Sequence, residues 1–248
     1  MGVLERELAY HEKLYSGFAQ AHFARPAVRA LRRHMAARIL QSTGAGPRSR
    51  LLSLGCGIGD TELLLAPQVA EVVGVDLSPA AVRQAREDAA RVGVMNARFV
   101  DGSVDSVSGH FDAVVAIFFL HHLSDAALAD LPRQVRQLLA PGGVFYSLDP
   151  SRRRLSGAVG RVLFPRLMKR YQTPDERELD PDSTAALFRA AGFDAQLDMY
   201  DFGSSPLAGL APGWRLGYDI ARRADDWLLR FGPLQRRGSN FEIVARPA

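Results

Sequence analysis

The stretch that decides the fold is Leu51-Leu52-Ser53-Leu54-Gly55-Cys56-Gly57-Ile58-Gly59-Asp60. Its apolar first half predicts a buried parallel strand, and the amphipathic segment that begins at Thr61 predicts the helix that crosses back over the sheet. The alternating glycines between them let the backbone turn tightly and let a ligand approach where a Cβ would collide. Open α/β folds bind nucleotides at such strand–loop–helix units, at the carboxyl edge of the sheet.

Length and composition indicate one large α/β domain with insertions. The chain has 248 residues, 47% of them hydrophobic, and a formal net charge of +4 that is carried almost entirely by arginine. The lone Cys56 excludes an intrachain disulfide and a multi-cysteine metal site, and we expect no metal. The charged N-terminus lacks the apolar core of a signal peptide, and no apolar run approaches the roughly 20 residues that span a bilayer. We therefore expect a cytoplasmic protein.

Two further strands are predicted to end in acids beside the glycines. Residues 72–76 form a short apolar run that ends in Asp76, followed by Leu77 and a Ser-Pro helix start. A carboxylate at this point can accept hydrogen bonds from both hydroxyls of a ribose, whereas the alternative is a solvated strand-end aspartate. Residues 96–103 form the next predicted strand, with Asp101 just past its end.

The spacing of the motifs narrows the family. Asp60 stands where a dinucleotide fingerprint has its third glycine, so the pattern instead resembles motif I of the class I S-adenosylmethionine (SAM) dependent methyltransferases. Two later motifs are characteristic of the methyltransferase type 11 branch, which acts on small molecules. They are Phe111-Asp112-Ala113-Val114-Val115 followed by Leu120-His121-His122-Leu123, and Leu139-Ala140-Pro141-Gly142-Gly143 before an apolar strand. The resemblance covers residues 50–150 closely and 180–248 loosely.

The resemblance implies a Rossmann-like fold in a single domain, residues 1–248. We expect a doubly wound, seven-stranded and mainly parallel sheet whose last strand is antiparallel. The SAM-binding core would be residues 48–150, and residues 1–42 would form an N-terminal helical cap. Helical insertions at 151–178 and 203–236 would build an acceptor-side cap over an apolar pocket. The aromatic residues suggested for that pocket are Phe164, Phe202, Trp214, Tyr218 and Trp227.

The resemblance also implies SAM as cofactor, S-adenosylhomocysteine (SAH) as product, and a set of cofactor-binding positions. Asp101 would accept from the adenine amino group, with the backbone of Gly102 and Ser103 beside the ring. The strand end near Ala116 and Ile117 would meet the methionine part. The complete predicted set is Gly55, Cys56, Gly57, Gly59, Asp76, Leu77, Asp101, Gly102, Ser103, Ala116, Ile117 and Tyr15. Tyr15 belongs to an aromatic N-terminal segment that either packs the first helix or forms a lid over the ligand.

Methyl transfer from a sulfonium needs a positioned acceptor and, for some acceptors, a general base. We predict His121 as that base because it follows the fourth strand, although a histidine pair that starts a helix can be structural. The remaining candidates are Tyr10, His11, Tyr15 and His122. A lone cysteine inside the glycine loop argues against cysteine-adduct methylation of pyrimidines. No Asn-Pro-Pro-Tyr-like motif follows the fourth strand, which argues against methylation of DNA bases.

One position departs from the family pattern. Most relatives have an acid where this chain has Ser53, and that acid helps to hold the SAM ammonium group. Either cofactor affinity is lower here, by at most roughly 1.5–3 kcal/mol for one charge-assisted bond, or another acid substitutes.

The predicted function is methyl transfer to a small-molecule or lipid-like acceptor. Two alternatives stay open, namely an RNA methyltransferase that uses arginine-rich residues 151–172 and a non-catalytic SAM-binding protein. The arginine-rich segment can lie on an anionic membrane or substrate, or it can be a surface helix that faces the acidic residues of 175–182. Nucleic acid is not the expected partner, and the sequence leaves the oligomeric state open.

Overall fold

A computed structural model describes residues 22–154, 178–232 and 236–248. The strands are β1 (Arg50–Leu54), β2 (Glu71–Asp76), β3 (Ala97–Asp101), β4 (Phe111–Ile117), β5 (Leu139–Pro150), β6 (Phe193–Asp201) and β7 (Asn240–Pro247). The helices are α1 (Pro26–Thr43), α2 (Glu62–Leu65), α3 (Pro79–Val92), α4 (Asp125–Leu138), α5 (Pro181–Ala190), α6 (Ser204–Leu210) and α7 (Arg215–Leu228).

The strands form one sheet in the order β3-β2-β1-β4-β5-β7-β6. Strands β1 to β5 pair in parallel, and β7 runs antiparallel between β5 and β6. This confirms the predicted fold class, including the antiparallel last strand. The strand order reverses beside β1, and open α/β sheets form their ligand crevice at such a reversal.

The sheet is covered on both faces because its central strands are apolar on both. Leu52 and Leu54 of β1 pack with apolar residues of α4 and α5, whereas Leu51 packs with those of α1. Helices α6 and α7, which make up most of the predicted 203–236 insertion, also pack against α1. Among the described residues, no helix is both long and apolar enough to cross a membrane.

Some predicted segments have other bounds, and some lie outside the described residues. The N-terminal helix was predicted over residues 1–42; α1 accounts for Pro26–Thr43, and Tyr10, His11 and Tyr15 lie outside the described ranges. Most of the arginine-rich segment, from residue 155 to 172, also lies outside them.

Strand β5 begins at Leu139, earlier than predicted, and includes the Pro-Gly-Gly turn as an irregularity in its pairing with β4. The pairing stays close there because Gly143 has no side chain: a Cβ at Gly143 would lie 3.0 Å from the Phe111 carbonyl oxygen.

Candidate active site

A cavity of about 440 Å³ opens at the carboxyl ends of β1, β2 and β4. Eight of the residues predicted to bind the cofactor line it: Gly55, Cys56, Gly57, Asp76, Leu77, Gly102, Ser103 and Ile117. The volume lies within the range of small-molecule sites, which is roughly 300–1,000 Å³. The structure therefore brings most of the predicted set together at one place.

All three glycines of the glycine loop, residues 55–60, have positive φ, and Gly55 and Gly59 also lie against neighbouring rings. Gly55 has φ +67°, and a Cβ there would collide with the Phe119 ring that packs beneath the loop. Gly59 has φ +74°, and its Cβ would lie 2.7 Å from the Phe99 ring. Gly59 is not among the residues that line the cavity. Its role is to let the glycine loop pack closely against the Phe99 ring.

Asp76 is held in place by the backbone around it. Its Oδ2 accepts from the Gly57 N–H at 2.8 Å and its Oδ1 accepts from the Ser78 N–H at 2.9 Å. Each carboxylate oxygen retains a second acceptor position. Asp76 can therefore receive two ligand hydroxyls while it stabilises the glycine loop.

Asp101 pairs in register with Asp76 on the adjacent strand, as the sequence predicted. Its side chain is exposed and does not line the cavity, whereas Gly102 and Ser103 do. Ala116 is fully buried inside β4, so the cavity meets that strand at Ile117 instead.

His121 and His122 lie in a 3-10 turn, Leu120–His122. Because adjacent residues of such a turn face different directions, the two side chains have different surroundings. His121 is 4% exposed, does not line the cavity, and places Nδ1 2.9 Å from Asp149 Oδ1. Burial raises the pKa of Asp149, and the hydrogen bonds from His121 oppose that shift. His122 lines the cavity, and its ring centroid lies 4.0 Å from that of His121.

Glu62 is a site residue that the sequence reasoning missed. It is 3% exposed, lines the cavity beside Ser53, and accepts from the Ser53 hydroxyl at 2.6 Å. Burial raises the pKa of Glu62 to about 7, while the Ser53 hydrogen bond acts in the other direction. A signal existed in the sequence, since Glu62 and buried Leu65 are three residues apart and share a helix face.

Helix α1 and the residues before it also reach the cavity, through Arg32 and Phe23. The Arg32 Nε lies 2.7 Å from Asp60 Oδ2, and its guanidinium carbon lies 4.9 Å from the centre of the Phe23 ring. A contribution of the N-terminal helix was predicted, but from its aromatic first part rather than from Arg32.

The Cys56 thiol is buried, and this burial, followed by the nearby Glu62 carboxyl, raises its pKa. A thiol that stays protonated is a poor nucleophile. The environment thus supports the prediction that Cys56 forms no covalent adduct.

None of the described residues of 203–236 lines the cavity. Trp214 and Trp227 are exposed, and Tyr218 is buried with the apolar residues of α1. The described arginines of the arginine-rich segment pair with acids: Arg152 and Arg153 with Asp180, and Arg154 with Glu178.

Comparison with known proteins shows similarity to methyltransferases over part of the chain. Residues 51–143 match a family model described as "Methyltransferase domain". An uncharacterized methyltransferase of Synechocystis sp. (strain ATCC 27184 / PCC 6803 / Kazusa) is 33% identical over 113 residues, which are 44% of this chain and 51% of that protein. A ubiquinone biosynthesis O-methyltransferase of Xanthomonas axonopodis pv. citri (strain 306) is 30% identical over 158 residues, 60% of this chain and 64% of that protein. The chain thus spans about half the length of the first relative and less than two thirds of the second.

A solved structure agrees over almost the whole chain. The magnesium protoporphyrin IX methyltransferase of Synechocystis PCC 6803 with bound SAH superposes with a TM-score of 0.66 at 14% identity, covering 98% of this chain and 100% of that one. At this identity the likeness shows the fold. With the family match, it confirms the resemblance to the class I methyltransferases.

Proposed function

We propose that this chain, whose residues 51–143 match a methyltransferase family model, transfers a methyl group from SAM to a small-molecule or lipid-like acceptor. The observation that carries the proposal is the joining of the glycine loop and Asp76 at one cavity. The Asp76 carboxylate contacts the Gly57 amide and lines the same space as Gly55 and Gly102. A nucleoside part and an amino-acid part both have chemically suitable surroundings there.

The residues present fit SAM at both of its ends. At the β2 end, Asp76 offers acceptors for a diol, and the glycine backbone leaves room for close approach. At the β1 and β4 end, Glu62 Oε2 is a buried oxygen beside the cavity, and no residue within the described ranges forms a hydrogen bond with it. An unpartnered buried carboxylate oxygen is costly, and a cationic ligand group would relieve that cost.

When bound, SAM would supply a methyl group on a sulfonium, whose thioether leaves without protonation. The residues of the chain then have two tasks: Asp76 and the glycine loop would hold the nucleoside, and Ile117 and its neighbours would hold the other end. Holding the acceptor in line at roughly 3 Å is itself a large part of the rate enhancement. A base is needed only for an acceptor that loses a proton.

The sequence predicts His121 as the base, whereas His122 is the histidine that lines the cavity, so we propose His122 for the direct contact with the acceptor. The His122 ring lies against the ring of His121, whose Nδ1 is held by Asp149, so His121 would fix the position of His122. Under this arrangement His121 is a positioning residue and His122 contacts the acceptor. The Xanthomonas relative is named as an O-methyltransferase, and a hydroxyl acceptor is the case in which such a base would be used.

Asp76→Ala tests cofactor binding. The variant should lose the rise in melting temperature that SAM or SAH produces in the wild-type protein, because the diol acceptors are gone. Asp112→Ala is the matched control: its Oδ2 accepts from the Arg50 N–H at the opposite end of the sheet. If Asp76→Ala retained the full shift, the proposed role of Asp76 would be rejected.

Catalysis is tested separately from binding. Incubation of the protein with SAM and panels of phenolic, amine and lipid-like acceptors should release SAH. A protein that binds SAM in calorimetry but releases no SAH with any acceptor would instead be the non-catalytic SAM-binding alternative.

A further inference from the structure

The buried pair Ser53 and Glu62 contains one acceptor that no described group of the protein satisfies. Ser53 donates to Glu62 Oε1, while Oε2 is buried and has no hydrogen-bond partner among the residues that the structure describes. Both side chains line the cavity, and they are 1% and 3% exposed. Buried carboxylate oxygens normally have a hydrogen-bond donor, and a ligand in the cavity is placed to supply one.

The charged and titratable groups that face Glu62 do not supply that donor. Asp60 raises the pKa of Glu62, and Arg32 lowers it. Arg32, however, directs its Nε to Asp60 Oδ2 at 2.7 Å and a terminal nitrogen to Thr61 Oγ1 at 3.4 Å. The Cys56 thiol is also close enough to be affected by Glu62, and it is neutral because burial raises its pKa.

The position of the pair selects one part of the ligand. Asp76 ends β2, and Ser53 lies on β1 between β2 and β4. A ligand whose ribose meets Asp76 therefore extends its other end along the edge of the sheet toward Ser53, Glu62 and Ile117. In SAM that end is an amino acid with a cationic ammonium group.

We infer that Glu62 is the anionic partner of the ammonium group of the methyl donor, and that Ser53 positions its carboxylate. This inference rests on the proposed function. It identifies the acid that substitutes for the one absent from position 53, and it makes Glu62 the residue that distinguishes ligands with an amino-acid end from those without it.

Glu62→Gln is the decisive variant, because it keeps the size and the acceptor for Ser53 but removes the charge. The probes are SAH and 5′-methylthioadenosine, which share the nucleoside and the thioether but differ in the amino-acid end. Calorimetry at pH 8 should show SAH binding weakened roughly 10- to 100-fold, as expected for one charge-assisted hydrogen bond. Methylthioadenosine binding should stay within about twofold, because that ligand makes no contact that the substitution removes.

A second variant tests whether the charge alone matters. Ser53→Asp combined with Glu62→Gln moves the carboxylate to β1 and should restore most of the SAH affinity. As a further readout, SAH affinity of the wild-type protein should rise between pH 6 and pH 8, while that of Glu62→Gln should not. Should the single variant fold poorly, this wild-type profile, compared between SAH and methylthioadenosine, remains decisive.

The outcomes separate the two proposals. Unchanged SAH binding by Glu62→Gln, or equal weakening of SAH and methylthioadenosine, would overturn the role of Glu62 and leave the proposed function in place. A wild-type protein that binds neither ligand would reject the proposed function itself.

Discussion

At the scale of single residues, Glu62 has a consequence for the stability of the protein without ligand. Its pKa is raised from 4.5 to about 7, mainly because burial disfavours the charged form. Between pH 4.5 and about pH 7, Glu62 is deprotonated in the unfolded chain but keeps its proton in the folded protein. The contribution of Glu62 to stability is thus fully present below about pH 4.5 and is lost as the pH rises through about 7.

We therefore predict that Glu62→Gln becomes more stable relative to the wild type as the pH rises from 5 to 8. The difference in the free energy of unfolding between the variant and the wild type should change by up to about 3 kcal/mol between these pH values, as the size of the pKa shift implies. Urea unfolding at both pH values measures it. A difference that is the same at pH 5 and pH 8 would contradict a raised pKa at Glu62.

The histidine pair gives a second prediction at this scale. His121→Ala should lower turnover by about tenfold or more while SAH affinity stays unchanged, because the ring supports proton transfer and does not hold the cofactor. His122→Ala is the companion variant. If His122 is the base that contacts the acceptor, its loss should also remove the acidic limb of the pH–rate profile, because the rate then no longer depends on deprotonation of His122. A near-normal rate for His121→Ala would clear His121 of any part in proton transfer.

The sequence predicted some of these site residues but not others, for a physical reason. Gly55 and Asp76 belong to a contiguous strand–loop–helix unit, so their positions follow from the local chain. The partnership of Ser53 with Glu62, and of His121 with Asp149, depends on how separate elements pack. Residue types alone do not reveal which of two adjacent histidines turns inward.

At the scale of elements, the N-terminus of α6 is capped by a side chain of α7. Asp225 of α7 is 2% exposed, and its two carboxylate oxygens accept from the Gly203 N–H at 3.0 Å and the Ser204 N–H at 2.9 Å. It therefore satisfies backbone donors at the N-terminus of a helix that belongs to a different segment. Carboxylates at helix N-termini are also favoured by the helix dipole.

Asp225→Ala should lower the free energy of unfolding by about 2–3 kcal/mol, because two buried donors lose their acceptor. Asp219→Ala on the same helix is the control, since Asp219 forms an exposed pair with Arg215 and should cost less than about 0.5 kcal/mol. Equal effects of the two substitutions, measured by denaturant unfolding, would contradict the capping role.

The elements themselves were largely predictable, because their signals are local. Ser78 and Ser124 accept from Ala81 N–H and Ala127 N–H, as expected of helix N-caps. The course of residues 203–236 was less predictable. A segment with Trp214 and Trp227 suggested a pocket wall, but α7 buries Tyr218, Arg222 and Asp225 and leaves both tryptophans exposed.

At the scale of the whole molecule, α1 is tied to the last strand. Arg38 donates from Nε to both carboxylate oxygens of Glu242 at 3.0 and 3.1 Å, and the Tyr146 hydroxyl donates to the same carboxylate at 2.8 Å. Glu242 is 1% exposed, so its charge is compensated chiefly by Arg38.

Arg38→Met should therefore destabilise the protein by about 2–4 kcal/mol, because it leaves a buried carboxylate without its cation. The double variant Arg38→Met with Glu242→Gln should recover part of that loss. Thermal and urea unfolding compare the three proteins. A double variant no more stable than Arg38→Met would contradict the charge argument.

The net charge of +4 leads to one more prediction for the whole molecule. Since Arg152, Arg153 and Arg154 are paired with acids, we expect weak RNA binding whose affinity changes little with salt. Fluorescence anisotropy with a labelled RNA between 50 and 200 mM salt tests this, where several phosphate contacts would lower the affinity by roughly 10³-fold or more. Such a steep dependence would favour the RNA methyltransferase alternative.

The link between Arg38 and Glu242 also bears on biosynthesis. Ribosomes deliver the chain from its N-terminus, and folding can proceed while the rest is still being made. Helix α1, which brings Arg32 to the cavity, forms its buried ion pair only when residue 242 has emerged. The nascent polypeptide can assemble the glycine loop long before that moment, whereas the buried ion pair that fastens α1 to the sheet must await the synthesis of β7.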